Sequence, residues 1–307
     1  MPQLVGKNGK WDLPHVDTWK DRSTIIKFER KPLISSKTYI ATIGSCFAGE
    51  LASAFVRLGL NGARHPNGQF YNTSSIRQEI DRAFGGWEEY AREPYWNVEK
   101  GFVHPFKSYS RIFSTKAELH EWSDKKDRES ELLFRKADVI VITLGMIESW
   151  KDPERSVFYR QIPHPDIFNT LGAIFHRLTV DEMIKDLKQI RSIIRRNTNA
   201  EIILTVSPIP LCATLTNLDV QVANIESKSR IRAAVSEFTA LYPDVSYFHS
   251  YEIVMTAERL NDFMLEDGRH VNEHAVDYIL QQFLKVFACD DLNVPDIDES
   301  WLAAHRK

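Results

Sequence analysis

Three residues in this sequence have the types and local spacing that nucleophilic chemistry needs: Cys46, Asp267 and His270. Cys46 lies two residues past the β-branched run Thr38–Gly44 and opens the periodic stretch Phe47–Leu58. A strand–turn–helix junction presents a nucleophile sharply. The unpaired N–H groups and partial positive charge of a helix N-terminus favour a thiolate, so a lowered thiol pKa is expected there. The same N–H groups can hold an oxyanion. A free cysteine is also often just a small buried hydrophobe, and position alone leaves both readings open. Asp267 and His270 stand three apart, just before the last periodic segment. That spacing lets a carboxylate orient an imidazole, which then serves as base toward a third group. The plain alternative is a capped helix start with solvent-facing histidines. His270 and His274 at i, i+4 also have metal-ligand spacing. No H-E-x-x-H register or cysteine cluster accompanies them, so no metal is expected.

Four short apolar runs are expected to position these residues. Thr38–Gly44, Ala137–Gly145, Glu201–Ser207 and Val245–His249 are rich in Val, Ile and aromatics and too short for helices, so they read as buried strands. Apolar residues recur at helical spacing over Phe47–Leu58, Thr179–Asn197, Asn224–Tyr242 and Val271–Phe287. Thr179 with Glu182 forms a capping-box pattern. Strands alternating with helices predict an α/β fold with a mainly parallel sheet. Such sheets carry ligands beyond the carboxyl ends of their strands. The ends at Gly44-Ser45-Cys46, Leu144-Gly145-Met146 and Ser207-Pro208-Ile209 should therefore converge. The chain divides into a lead-in (1–37), a single domain (38–289) and a peripheral tail (290–307). Residues 85–135 and 151–178 break the alternation and are expected to form lid-like insertions. Their His104 and His164 are candidate substrate contacts.

These blocks together resemble a known family. Gly44-Ser45-Cys46-Phe47-Ala48 spells the signature of the GSCFA domain proteins, a branch of the SGNH/GDSL hydrolase-like superfamily. The resemblance continues through Asn67–Ile76, Thr143–Gly145 with Trp150, Thr205–Pro208, Asn224 with Ser227-Lys228, Tyr247–Glu252 and Glu266–His270, covering about residues 38–285 in order. It implies a flavodoxin-like, three-layer α/β/α sandwich. It places Cys46 on the superfamily's nucleophilic serine, and Asp267 and His270 on its closing D-x-x-H as orienting acid and base. The superfamily's oxyanion asparagine falls on Ile147, so another donor must substitute. Asn72 is the nearest candidate, with the backbone N–H groups of Cys46 and Gly68 and with Gly145 nearby. Glu148 and Trp150 are expected to line the pocket. Ser45, one residue earlier, is the rival nucleophile, although serine is also a favoured N-cap. A tight turn is the plain reading of Gly68 and Asn72.

The implied activity is acyl transfer, as esterase or O-acyltransferase on a carbohydrate or similar acylated metabolite, through an acyl-thioester on Cys46. The alternative is a non-catalytic ligand-binding module on the same fold. No cofactor is expected beyond an acyl donor such as acyl-CoA acting as substrate. Composition narrows the rest. The 307 residues carry 39 Lys+Arg against 42 Asp+Glu, a net charge of −3, which disfavours a nucleic-acid coat. Three cysteines, Cys46, Cys212 and Cys289, are too few and too dispersed for a disulfide framework. No apolar stretch reaches the roughly 18 residues of a membrane span, and the N-terminus lacks a signal core, so a cytoplasmic protein acting on a small molecule or glycan is expected.

Overall fold

The run beginning at Thr38 becomes strand β1 (Tyr39–Gly44), and the next periodic stretch becomes helix α1 (Cys46–Arg57). There follow β2 (Asn61–Arg64), α2 (Thr73–Ala83), β3 (Trp96–Val98), β4 (Gly101–His104), β5 (Ser108–Phe113) and α3 (Lys116–Lys136). The middle of the chain forms β6 (Val139–Leu144), β7 (Glu148–Lys151), β8 (Phe158–Tyr159), α4 (Pro165–Phe168), β9 (Ile174–Arg177) and α5 (Val180–Asn197). The last elements are β10 (Glu201–Val206), α6 (Val220–Leu241), β11 (Val245–Phe248), α7 (Ser250–Met255) and α8 (Glu273–Phe287). This computed structural model describes residues 29–86, 95–154, 157–168, 172–256 and 263–294.

Five strands form one parallel sheet in the order β11-β10-β6-β1-β2. Strand alternation divides its side chains between two cores. Ala41, Ile43, Ile140, Ile142, Ile202 and Leu204 pack with Ile76 and Ile80 of α2, Phe134 of α3, Leu187 and Ile190 of α5, and Val235 and Phe238 of α6. Ile40, Val139, Val141 and Ile203 face the other way, toward Phe47, Leu51 and Phe55 of α1 and Ile279 and Phe283 of α8. The result is the expected three-layer α/β/α sandwich. Each such Ile, Leu or Phe contributes about 1.5–3 kcal/mol on burial. The capping box at Thr179 is present, with both reciprocal bonds to Glu182. No helix among the described residues is long and apolar enough to cross a membrane.

The two insertions carry small antiparallel sheets, β3-β4-β5 and β8-β7-β9. The second part of segment 85–135, α3, belongs to a core layer, where Leu133 and Phe134 are buried. Residues 87–94, 155–156 and 169–171 of the two insertions lie outside the described residues. The first insertion is tied to the domain by a chain of buried charge. Glu79 of α2 meets His65 Nε2 at 3.1 Å and accepts from Asn67 Nδ2 at 2.8 Å. Arg82 pairs with both Glu79 and Asp127. Asp127 also accepts from the fully buried Lys107, at 2.7 Å.

The lead-in is described from residue 29. Leu33 and Ile34 donate backbone bonds to Phe287, and Cys289 returns one to Ile34. Of the tail, residues 290–294 are described. Asp290 pairs with Arg30, and Asp291 accepts from Ser36.

Gly44 closes β1 with φ +137°, a conformation that residues with a Cβ rarely adopt. A Cβ there would lie 2.1 Å from the Thr143 carbonyl oxygen. Gly44→Ala should therefore cost at least about 3 kcal/mol, read as a lower midpoint in chemical denaturation; an unchanged midpoint would contradict this packing.

Candidate active site

Three strand ends converge as expected. Ser45 N–H donates to Thr143 O at 3.0 Å, and Ser207 N–H to Leu144 O at 2.8 Å. Between the last two ends stands Lys228 of α6, with no exposed surface. Its Nζ donates to Gly145 O at 2.8 Å and to Ile209 O at 2.9 Å.

Ser45 and Cys46 are separated by their environments. Ser45 is the N-cap of α1 and is buried, and its hydroxyl pairs with Thr143 Oγ1 at 3.0 Å. That ties the Ser45 hydroxyl to the neighbouring strand β6. Cys46, the first residue of α1, is half-buried. The backbone N–H groups of Phe47 and of Cys46 itself favour its thiolate, as do the charges of Arg269 and Lys228. Burial outweighs all of these and pushes the thiol pKa up. The lowering expected from the helix terminus alone is thus corrected: the site's low polarizability disfavours the anion more than the dipole favours it. Lys228 shows the reciprocal effect. Burial pulls its pKa down to about 7, and the nearby Cys46 thiolate works in the opposite direction.

Asp267 and His270 form the expected pair. His270 Nδ1 lies 2.6 Å from Asp267 Oδ2. The other carboxylate oxygen accepts from the N–H groups of His270 and Arg269 at 2.9 and 3.0 Å. These bonds hold the Asp267 carboxyl well below the usual range. Arg269 donates to His270 Nε2 at 3.0 Å. A guanidinium only donates, so Nε2 is the acceptor and Nδ1 carries the proton. That tautomer is the one a base needs. No hydrogen bond joins His270 to Cys46 among the described residues, and Arg269 occupies the basic nitrogen.

The expected oxyanion donors are mostly engaged elsewhere. Asn72 caps α2, accepting from Ser75 N–H at 2.9 Å and donating to Glu148 O at 3.4 Å. Gly68 N–H donates to His65 O, and Gly145 N–H to Tyr71 O. Ile147 is buried and its N–H bonds Ser227 Oγ at 3.0 Å. The donors left at the thiol are the N–H groups of Cys46 and Phe47.

The other predicted contact residues make bonds within the protein. His104 is buried, and its Nδ1 accepts from the N–H groups of Phe106 and Lys107. These bonds hold a turn. His164 accepts from Asp166 N–H at the start of α4. Trp150 is buried against Phe168 and Phe175. Glu148 accepts from Thr214 Oγ1 and Leu215 N–H, anchoring the loop after β10. No group of three or more His, Cys, Asp or Glu side chains among the described residues is arranged to hold a metal.

A family model described as the GSCFA family matches residues 39–283. The chain belongs to the GSCFA family. A crystal structure of the lipase/acylhydrolase from Enterococcus faecalis aligns at 14% identity with a TM-score of 0.32, covering 81% of this chain and 95% of that one. No curated protein matches. In this GSCFA protein the site also contains residues to which sequence reasoning gave no chemical role. Lys228 stood in a matching block without an assigned function. Tyr71 lies close enough to Cys46, Arg160, Arg269 and Cys212 to feel their charges. Cys212 is exposed on the loop after β10. No local pattern announces such long-range neighbours.

Proposed function

We propose that this GSCFA protein is an acyl-transfer enzyme, an esterase or O-acyltransferase, with Cys46 as nucleophile. The observation that carries the reading is Cys46 at the start of α1, with two amide N–H groups at its thiol and the oriented Asp267–His270 pair on the loop before α8. The raised thiol pKa makes a general base necessary. His270 holds its Nε2 lone pair ready for that role once Arg269 moves off it. His270 takes the thiol proton, and the sulfur attacks the acyl carbonyl. The N–H groups of Cys46 and Phe47 receive the oxyanion. The leaving group departs with the proton, leaving an acyl-thioester. Water or an acceptor hydroxyl, deprotonated by His270, then resolves it. Lys228 supplies the positive charge that offsets the developing thiolate. A glycan or acylated metabolite fits as acceptor, and an acyl-CoA or similar thioester as donor. Three free thiols suit a reducing, cytoplasmic setting.

The reading is tested by acyl-enzyme trapping. Incubation with an aryl ester or acyl thioester should give an intact-mass adduct localised to Cys46. His270→Gln should slow its formation by about 10²–10⁴-fold, and Asp267→Asn should slow it less. Adduct formation at the wild-type rate in His270→Gln would remove the imidazole from the mechanism. The Arg269–His270 bond favours a second reading, a binding module whose base is permanently masked. No adduct with any ester or thioester, together with tight ligand binding, would select it.

A further inference from the structure

Three guanidinium groups from distant chain segments lie in or beside the cleft that Cys46 lines. Arg64 ends β2, Arg160 follows β8 in the second insertion, and Arg269 stands in the loop before α8. Two glycines make room for the first two. A Cβ on Gly68 would lie 2.9 Å from Arg160 Nη2 and 3.9 Å from Arg64 Nη2; one on Gly49 would lie 3.2 Å from Arg64 Nη1. Cys46, Gly49, Arg64, His65, Gly68 and Gln69 line one cleft, and no Asp or Glu is among its lining residues.

The guanidinium groups are differently held. Arg160 is fixed, donating from Nε to Gln69 O at 2.8 Å and lying 4.9 Å over the Phe70 ring. Arg64 is exposed and makes no ion pair among the described residues. Arg269 spends one N–H on His270 Nε2. Asp267, beside it in sequence, is committed to the His270 ring and two backbone amides. Arg160 and Arg269 both act on the Tyr71 phenol, which also feels Cys46, so the arginines and the thiol share one small region. The chain as a whole is net negative at −3, and this positive mouth is a local exception. Arginine forks match the planar oxygens of carboxylate and phosphate, and a cleft of one sign concentrates ligands of the other.

We propose that Arg64, Arg160 and Arg269 form a subsite for an anionic oxygen group, phosphate or carboxylate, carried by the substrate close to its acyl carbon. This rests on Cys46 being the reacting centre, and it names the substrate class: an acyl compound bearing a negative charge. Two sources share that chemistry. One is a phosphorylated thioester donor, and the other is an acyl group with a free distal carboxylate. An anion that draws Arg269 toward itself also releases His270 Nε2.

The test compares alkylation of Cys46 by iodoacetate and by iodoacetamide in the full chain, read by peptide mass, with free cysteine in parallel. The two reagents differ mainly in charge. At Cys46 the iodoacetate/iodoacetamide rate ratio should exceed that of free cysteine by about 10-fold, since a few nearby charges are worth that much. Arg64→Gln and Arg160→Gln should each lower it, and inorganic pyrophosphate should slow the iodoacetate reaction. A ratio at or below that of free cysteine, or one unmoved in both variants, overturns the subsite. This readout needs no turnover, so it stands or falls separately from the acyl-transfer reading. A turnover arm identifies the source, using S-butyryl 2-mercaptoethyl phosphate against S-butyryl 2-mercaptoethanol, and a glutaryl against a butyryl aryl ester. At least a 10-fold higher kcat/KM for the anionic member of either pair, lost in the arginine variants, supports the subsite. The absence of such a preference in both pairs overturns the assignment of substrate class.

Discussion

Cys46→Ala should abolish the acyl adduct and reduce turnover of esters and thioesters by at least about 10³-fold, the scale on which catalytic nucleophiles are lost. The thiol is half-buried at the first turn of α1, and its removal leaves only a small void, so thermal unfolding should move little. Cys46→Ser is the more informative partner. Its hydroxyl fits the same space and can meet the same N–H groups, but it is far harder to ionise than a thiol. In a site where burial already disfavours the anion, serine turnover should fall nearly as far as in the alanine variant. Turnover of either variant at the wild-type rate would transfer the chemistry to another group. The first candidate for that group is Ser45, whose hydroxyl now pairs with Thr143 Oγ1 at 3.0 Å, and Ser45→Ala would test it.

Lys228→Met should be the next largest effect, and it separates electrostatics from packing. Removing the ammonium leaves Gly145 O and Ile209 O without their donor, at a cost of about 1–3 kcal/mol for each orphaned carbonyl. Methionine fills most of the volume and removes a desolvated charge, which offsets part of that cost. The functional signature is the pH profile of Cys46 alkylation. Below about pH 7, where wild-type Lys228 carries its charge, the variant should react roughly 10-fold more slowly, about what one lost charge interaction is worth; above it Lys228 is neutral and the two profiles should converge. Stability carries a second signature. The Lys228 pKa falls from 10.5 to about 7 on folding, so between those values the unfolded chain binds the extra proton. Wild-type stability should therefore rise with pH across that window and level off below it. The Lys228→Met variant lacks this slope. An unchanged alkylation profile would reduce Lys228 to a structural tie.

The parts of the fold that were legible in the sequence are those whose burial is apolar. β1, β6, β10 and β11 announce themselves by β-branched runs, because a parallel strand covered on both faces admits little else. α8 shows its inward stripe directly. β2, Asn-Gly-Ala-Arg, is a polar edge strand with no such run. α2 hides for a different reason. Much of its buried surface is Thr73, Ser74, Ser75, Gln78, Glu79 and Arg82, so hydrophobic periodicity finds only Ile76 and Ile80. The site divides along the same line. The Asp267–His270 pair is local and readable at three residues' spacing. Lys228 and Arg64 come near Cys46, and Arg160 comes beside Gly68 in the same cleft wall, through topology alone. The thiol pKa went against the sequence expectation because burial depends on the whole fold, whereas the helix terminus is visible locally.

The buried charges joining α2 to the first insertion impose a rule on any redesign of this chain. Glu79, Arg82, Asp127 and Lys107 alternate in sign and sum to zero. Neutralising one member leaves the cluster with a net charge, and losing Asp127 leaves the fully buried Lys107 without its carboxylate, which is far costlier than losing the bond itself. The four side chains thus behave as a single inherited letter. A chimera that exchanges the insertion must carry Lys107 and Asp127 together with the Glu79 and Arg82 they answer, or replace all four with apolar residues at once. Changing them one at a time passes through intermediates that the fold tolerates poorly.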